Sequence, residues 1–343
     1  MRRWSFVSIL VLVVSLAAAL AAQSTTKSNT TAPAKSSSTL RTVDGQPDLQ
    51  GVWDFRTVTP MERPSELGNK EVFSDQEAEE FAVKKVQESN VDNLRGKTAS
   101  GASNGQTTTQ DVSLAYNEFW FDRGNKVVGT KRTSLVVDPP DGKIPALTPE
   151  AKKRLDAERI ARERPAEGPE DRSVGERCIM GFNSGPPMVP AAYNQNMQIF
   201  QTAGHVVVLN EMVHNARIIP LDNRPYGNIR QWAGMSRGHW EGNTLVVDTR
   251  NFSGVTAFRG SSANLHLIER FTRVDKDTLV YEFTAEDPTT WTRKWTAQIP
   301  MVRNPQPIYE YACHEGNYGM EGILSAARAA EREAAKARTK SGR

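Results

Sequence analysis

Between residues 197 and 313, apolar and polar positions alternate in short runs parted by turn residues. "MQIFQT" is followed by Ala-Gly, "HVVVLNEMV" by His-Asn, and then comes "ARIIPLD". "GHW" leads through Glu-Gly-Asn into "TLVVDTRNF", while "LHLIERFTRV" passes through Asp-Lys-Asp into "TLVYEFT" and on to "TWTRKWTAQI". Runs of this length, rich in β-branched and aromatic residues at period two, predict strands. Connections this short make consecutive strands antiparallel neighbours. Free sheet edges invite aggregation, so the pattern predicts closure into a barrel, with a sandwich as the alternative. Val207, Leu209, Leu245, Val247, Leu279 and Tyr281 would form its inner wall. "YEYACHEGNY", 309–318, reads as a last strand ending at Glu315-Gly316-Asn317.

The preceding part of the chain has a different rhythm. "PDLQGVWDF", 47–55, is a short apolar strand after a turn-rich lead. Ser74 followed by Glu77 forms a capping box ahead of a helix that would bury Phe81, Val83 and Val86. Gly96–Gln110 is a Gly/Ser/Thr/Asn-rich loop. Phe119–Phe121 and Thr133–Asp138 read as strands, the second stopped by "PPDG". Thr148-Pro149-Glu150 then starts a helix running to about Arg164, with its cap, N1 proline and early acid in order. The fold class expected is therefore mainly β: an antiparallel meander closing into a barrel, with a helical N-terminal insertion (about 60–190) and a C-terminal helix.

Composition adds a compartment and removes a class of partner. Arg2 and Arg3, the apolar run Phe6–Leu20 and the Ala19-Leu20-Ala21 cleavage pattern predict a secretory leader over 1–21. Residues 22–46 are mostly small and polar, too poor in apolar surface to offset the entropy of ordering, and predict a flexible tether. One β-rich domain is expected over 47–325 and a helical to disordered tail over 326–343. The protein is expected in the periplasm or outside the cell, with no membrane span left once the leader is cleaved. The chain carries 43 Lys and Arg against 40 Asp and Glu. Two of the basic residues belong to the leader, so nothing resembles the basic stripe of a nucleic-acid binder. Cys178 and Cys313 are the only cysteines, and in an oxidising compartment an even pair predicts a disulfide.

Two resemblances follow from particular residues. "GVW" at 51–53, heading an antiparallel meander, resembles the G-x-W start of lipocalin-like (calycin) barrels, which implies a calycin-type barrel closed at one end by the tryptophan. "RTSLVVDPPDGKIP", "SRGHWEGNTLVVDT" and "YEYACHEGNY" resemble the signatures of a family of exported bacterial proteins without assigned activity. That likeness covers most of 47–325 and implies membership but no mechanism.

The candidate chemistry lies in the meander. "GMSRG", 234–238, matches the G-x-S-x-G pattern, but it lacks the strand before and helix after that create a nucleophile elbow. Histidines keep company with carboxylates: His214 with Glu211, His239 with Glu241, His266 with Glu269, and His314 with Glu310 and Glu315. On a strand, a separation of two or four shares a face and a separation of three does not. His239 with Glu241, and Glu310 with His314, are therefore ready pairs, whereas His266 and Glu269 point apart. Only the fold could bring three such ligands together, so no cofactor is predicted and a divalent metal stays an alternative. Arg217 and Arg270 could clamp a ligand anion, or pair within the sheet with Glu269, Glu211 or Asp248. Trp291 and Trp295 share strand parity and could present an aromatic ladder.

The function these features predict is binding, with conversion as an option, of a small amphipathic molecule at the barrel mouth. His214, His239, Glu241, His266, Glu269, Glu310 and His314 would be its polar groups. The alternative is a hydrolase, lyase or isomerase using His and carboxylate groups with or without a metal. A second alternative is a cell-envelope interaction module without a pocket.

Overall fold

The computed structural model describes residues 40–94, 117–255 and 258–341. The expected leader, most of the tether and the Gly96–Gln110 loop lie outside the described residues.

The alternating runs form strands as the pattern requires. They are β3 (Asn196–Gln201), β4 (His205–Asn210), β5 (Ala216–Pro220), β6 (Met235–Glu241), β7 (Thr244–Arg250), β8 (His266–Arg273), β9 (Thr278–Glu286) and β10 (Trp295–Asn304). With β1 (Gly51–Asp54) and β2 (Val136–Asp138) they make one antiparallel sheet, ordered β5-β4-β3-β1-β10-β9-β8-β7-β6, with β2 on β10. Two hairpins fix most of the register. The Gly242-Asn243 turn sets Glu241 opposite Thr244, and the turn after Arg273 sets that residue opposite Leu279.

The sheet is open, and this corrects both the barrel and the calycin likeness. No hydrogen-bonded ladder joins β5 to β6, the two ends of the strand order. The connection between them, "LDNRPYGNIRQWAG", has no alternation from which a bridging strand could form. Side chains come between the edges instead: a Cβ added to Gly238 of β6 would lie 2.8 Å from Leu221 Cδ2 and 2.9 Å from Ile219 Cγ2. Gly238→Val should overpack this contact and cost about 1–3 kcal/mol in a urea unfolding titration. An unchanged midpoint would show that the edges part freely there.

Four α-helices among the described residues make the architecture a mixed α/β one rather than mainly β: α1 (Asp75–Ser89), α2 (Val91–Leu94), α3 (Pro149–Arg162) and α4 (Tyr318–Ser341). Both sequence-read caps form. Glu77 N–H donates to Ser74 Oγ while the Glu77 carboxylate accepts from Ser74 N–H. Thr148 Oγ1 accepts from Ala151 N–H at 3.1 Å. Within α1, however, Ala78 and Ala82 are buried while Val83 and Val86 are exposed. The helix lies on the body through its small residues. Residues 118–120 form a single turn of 3-10 helix rather than a strand. No helix among the described residues is long and apolar enough to cross a membrane.

The inner face is filled. Trp53, Phe271, Tyr281, Phe283, Trp295, Ile299 and Met301 have no exposure, and Trp53 Nε1 donates to Leu49 O at 2.9 Å. Trp291 is also buried, so Trp291 and Trp295 do not form the exposed aromatic ladder that their parity allowed. Val207 and Leu209 turn outward, and Val206 and Val208 take the inner positions. "HVVVLN" is apolar at both parities and carries no alternation to read. The small-molecule site expected at a barrel mouth is thus overturned: the sheet has no closed rim, and aromatic side chains occupy its interior.

Candidate functional site

A buried charged group in the core links β5, β8 and β9. Arg217 reaches across to Glu269, with Nη1 on Oε2 and Nη2 2.9 Å from Oε1. Tyr281 Oη donates to Glu269 Oε1 at 2.8 Å and accepts from Met188 N–H at 3.2 Å. Glu269 and Tyr281 are fully buried and Arg217 nearly so. Desolvation lowers the Arg217 pKa, but the Glu269 charge outweighs it and the net shift is upward. Burial, then the same carboxylate, pushes the Tyr281 hydroxyl well up. A charge buried this deeply needs its partner. The guanidinium proposed as an anion clamp is engaged within the sheet by Glu269.

His266 lies on the opposite face of β8, as a separation of three from Glu269 demands. Register places Glu286 of β9 directly across from it, with His266 Nδ1 3.8 Å from Glu286 Oε2. On the other flank Nε2 lies 3.2 Å from Asp248 Oδ1 of β7. That nitrogen is buried and makes no hydrogen bond among the described residues, so the two side chains meet in close contact only. Asp248 also holds Arg250 through two bonds of 2.9 Å, and its carbonyl accepts from Tyr226 Oη at 3.0 Å. Desolvation pushes the Asp248 carboxyl up, yet His266, Arg250 and Tyr226 together hold it well below the usual carboxylate range. Burial, followed by Asp248, raises the Tyr226 hydroxyl. Arg237 and Arg250 stand over the Tyr226 ring, 5.2 and 5.6 Å from its centre.

A second cluster shares this outer face. His239 Nε2 lies 3.1 Å from Glu241 Oε1, the pair that a separation of two allows, and Arg270 Nη2 donates to Glu241 Oε2 at 2.8 Å. Arg270, then His239, lowers the Glu241 pKa. All three side chains are more than a third exposed.

The remaining candidates are dispersed. His214 sits in a turn after β4 with a left-handed backbone (φ 39°), and its Nδ1 lies 3.3 Å from the Tyr311 carbonyl oxygen. Glu211 instead accepts from Asn196 Nδ2. Residues 309–314 are not a strand, because Pro305 and Pro307 follow β10 and neither can donate to a ladder. Glu310 and His314 therefore share no strand face, and both are exposed. Cys178 and Cys313 form a disulfide with Cα atoms 5.6 Å apart. Ser236 of "GMSRG" lies within β6, buried, with its Oγ 2.9 Å from Thr249 Oγ1, so no nucleophile elbow exists there. No group of three or more His, Cys, Asp or Glu among the described residues is placed to hold a metal ion.

Asp248 entered the sequence reading only as a partner for arginine, and Glu286, Tyr226 and Arg250 did not enter it. A signal for two of them was present in the hairpins. Once the turn after Arg273 is fixed, counting back along both strands puts His266 opposite Glu286; the Gly242-Asn243 turn puts Arg237 opposite Asp248 in the same way.

No protein-family model, curated protein sequence or solved structure matches the chain. The likeness drawn from "RTSLVVDPPDGKIP", "SRGHWEGNTLVVDT" and "YEYACHEGNY" thus gains no support from a family model, and the calycin likeness fails on the open sheet.

Proposed function

We propose that the protein is an exported acid–base enzyme of the hydrolase, lyase or isomerase type, with His266 as its proton-transfer group and no metal in the step. The observation that carries this reading is the position of His266 between Asp248 and Glu286. Asp248, kept ionised, packs its carboxylate against the Nε2 side of the ring and leaves Nδ1 as the nitrogen available to a substrate. Nδ1 lies 3.8 Å from Glu286 Oε2, outside hydrogen-bond distance, and so is free to exchange a proton with a substrate group approaching from the solvent side. Arg237 and Arg250, held against Tyr226, place positive charge on the Asp248 side of the imidazole. The test is a screen of 4-nitrophenyl esters and β-elimination substrates, with pH profiles of any turnover. His266→Gln and Asp248→Asn should each lower the rate by about 100-fold or more, while His205→Gln, on β4, should not. Turnover surviving in His266→Gln would remove the proposal.

A second reading, an envelope interaction module without a pocket, is favoured by the filled interior and the open charged face of β6–β9. A protein partner retained in native mass spectrometry, together with no turnover in the screen, would favour it over catalysis.

A further inference from the structure

Away from the sheet's outer face, α3 and the segment 169–189 wall a cleft of about 650 Å³ against the loops at Trp232 and Arg259. The volume is that of an ordinary small-molecule site. Three arginines line it: Arg162 in the last turn of α3, Arg172 and Arg259. Among the described residues none of the three makes a side-chain hydrogen bond or an ion pair, whereas the acids beside them are engaged. Glu158 faces Arg154 at 3.9 Å and Glu170 faces Arg177 at the same distance. Asp171 accepts from the Glu167 and Gly168 N–H groups at 2.8 and 3.4 Å.

Arg259 is held in place from both sides. Phe258 before it stacks on Trp295, ring centres 5.9 Å apart, and meets Phe283 edge-on at 5.8 Å. The carbonyl of Gly260 after it accepts from Arg154 Nη2 at 2.7 Å. Between these anchors Arg259 adopts a left-handed backbone, φ 48° and ψ 40°, a conformation that costs free energy for a residue with a long side chain. Desolvation lowers its pKa, and the distant Glu62 charge offsets this only in part. In Arg172 the Nε–H is buried and has no acceptor. A buried donor left unmatched is costly, and Arg172 is one of the residues that wall the cleft.

We infer that this cleft is a binding site for an organic oxyanion, whose charged group meets Arg162, Arg172 and Arg259 and whose apolar body rests on Trp232 and the Pro186-Pro187 wall. The site belongs to the insertion and the loops it packs on, and it is independent of the His266 proposal.

Phenyl phosphate is the probe, titrated calorimetrically into the full-length protein at low salt, with benzyl alcohol as the uncharged match. Saturable binding is expected for phenyl phosphate and none for benzyl alcohol. Arg172→Ala and Arg259→Ala should each weaken it about 10-fold or more, the loss of one charge-assisted hydrogen bond. Arg162→Ala, on an exposed helix position, guards against misfolding and should also weaken it, while Arg303→Ala should not. Absence of saturable phenyl phosphate binding up to about 10 mM, a range reaching beyond the weak end of specific affinities, would overturn the inference. So would equal binding of benzyl alcohol, or unchanged affinity in Arg162→Ala and Arg172→Ala.

Discussion

Arg217→Ala is expected to destabilise the fold by about 3–5 kcal/mol, the cost of leaving a buried carboxylate without its counter-charge. Glu269 would keep only the Tyr281 hydroxyl, 2.8 Å away, among side chains that exclude water. Glu269→Ala should cost as much, since it strands the Arg217 guanidinium and removes the acceptor for Tyr281. The paired change Arg217→Met with Glu269→Gln should recover most of the loss. It removes both charges at similar volume and keeps an amide oxygen for the Tyr281 donor. Urea unfolding of the three variants separates a charge requirement from a packing requirement. A loss under about 1 kcal/mol for Arg217→Ala, the size of an exposed ion pair, would mean that water reaches the pair.

Opening the disulfide is expected to have an effect of similar size. Cys178 and Cys313 lie 135 residues apart in sequence, so the bridge removes much freedom from the unfolded chain. On the chain-entropy model the double change Cys178→Ser, Cys313→Ser should cost about 4–5 kcal/mol. The segment it fixes has few other ties: 309–317 is irregular, and it is held besides by the stacking of Tyr311 on Tyr193, the Tyr311 carbonyl near His214 and the Asn317 Nδ2 bond to Glu176 O at 2.9 Å. Reduction should therefore raise amide exchange first in 305–317, ahead of the strands, because local opening needs less than global unfolding. Uniform exchange across the sheet and this segment would show that the bridge supports the whole fold directly.

Local chemistry was legible in the sequence wherever a residue's environment is set by its near neighbours. Ser74 and Thr148 announced their helices because capping involves groups three residues apart. The period of two placed His266 and Glu269 on opposite faces and His239 beside Glu241. Two cysteines in a chain with a predicted leader indicated the bridge. Where the local pattern was ambiguous the reading failed: "HVVVLN" is apolar throughout, and α1 lies on its alanines rather than its valines. The prolines at 305 and 307 were local signals against a strand at 309–314, and the alternating tyrosines obscured them.

Tertiary structure decided what depends on partners distant in the chain. The insertion of β1 between β3 and β10, the missing ladder between β5 and β6, and the reach of Arg217 from β5 to Glu269 on β8 have no signature in periodicity. Periodicity records which face a side chain takes, whereas pairing depends on the free energy of whole strands brought together by long connections. The cleft arginines show the same division. In sequence Arg162, Arg172 and Arg259 are unremarkable charged residues, the first near the end of the helix that starts at Thr148. Only folding sets them around one space, because the loop bearing Arg259 is anchored by Phe258 on one side and Arg154 on the other.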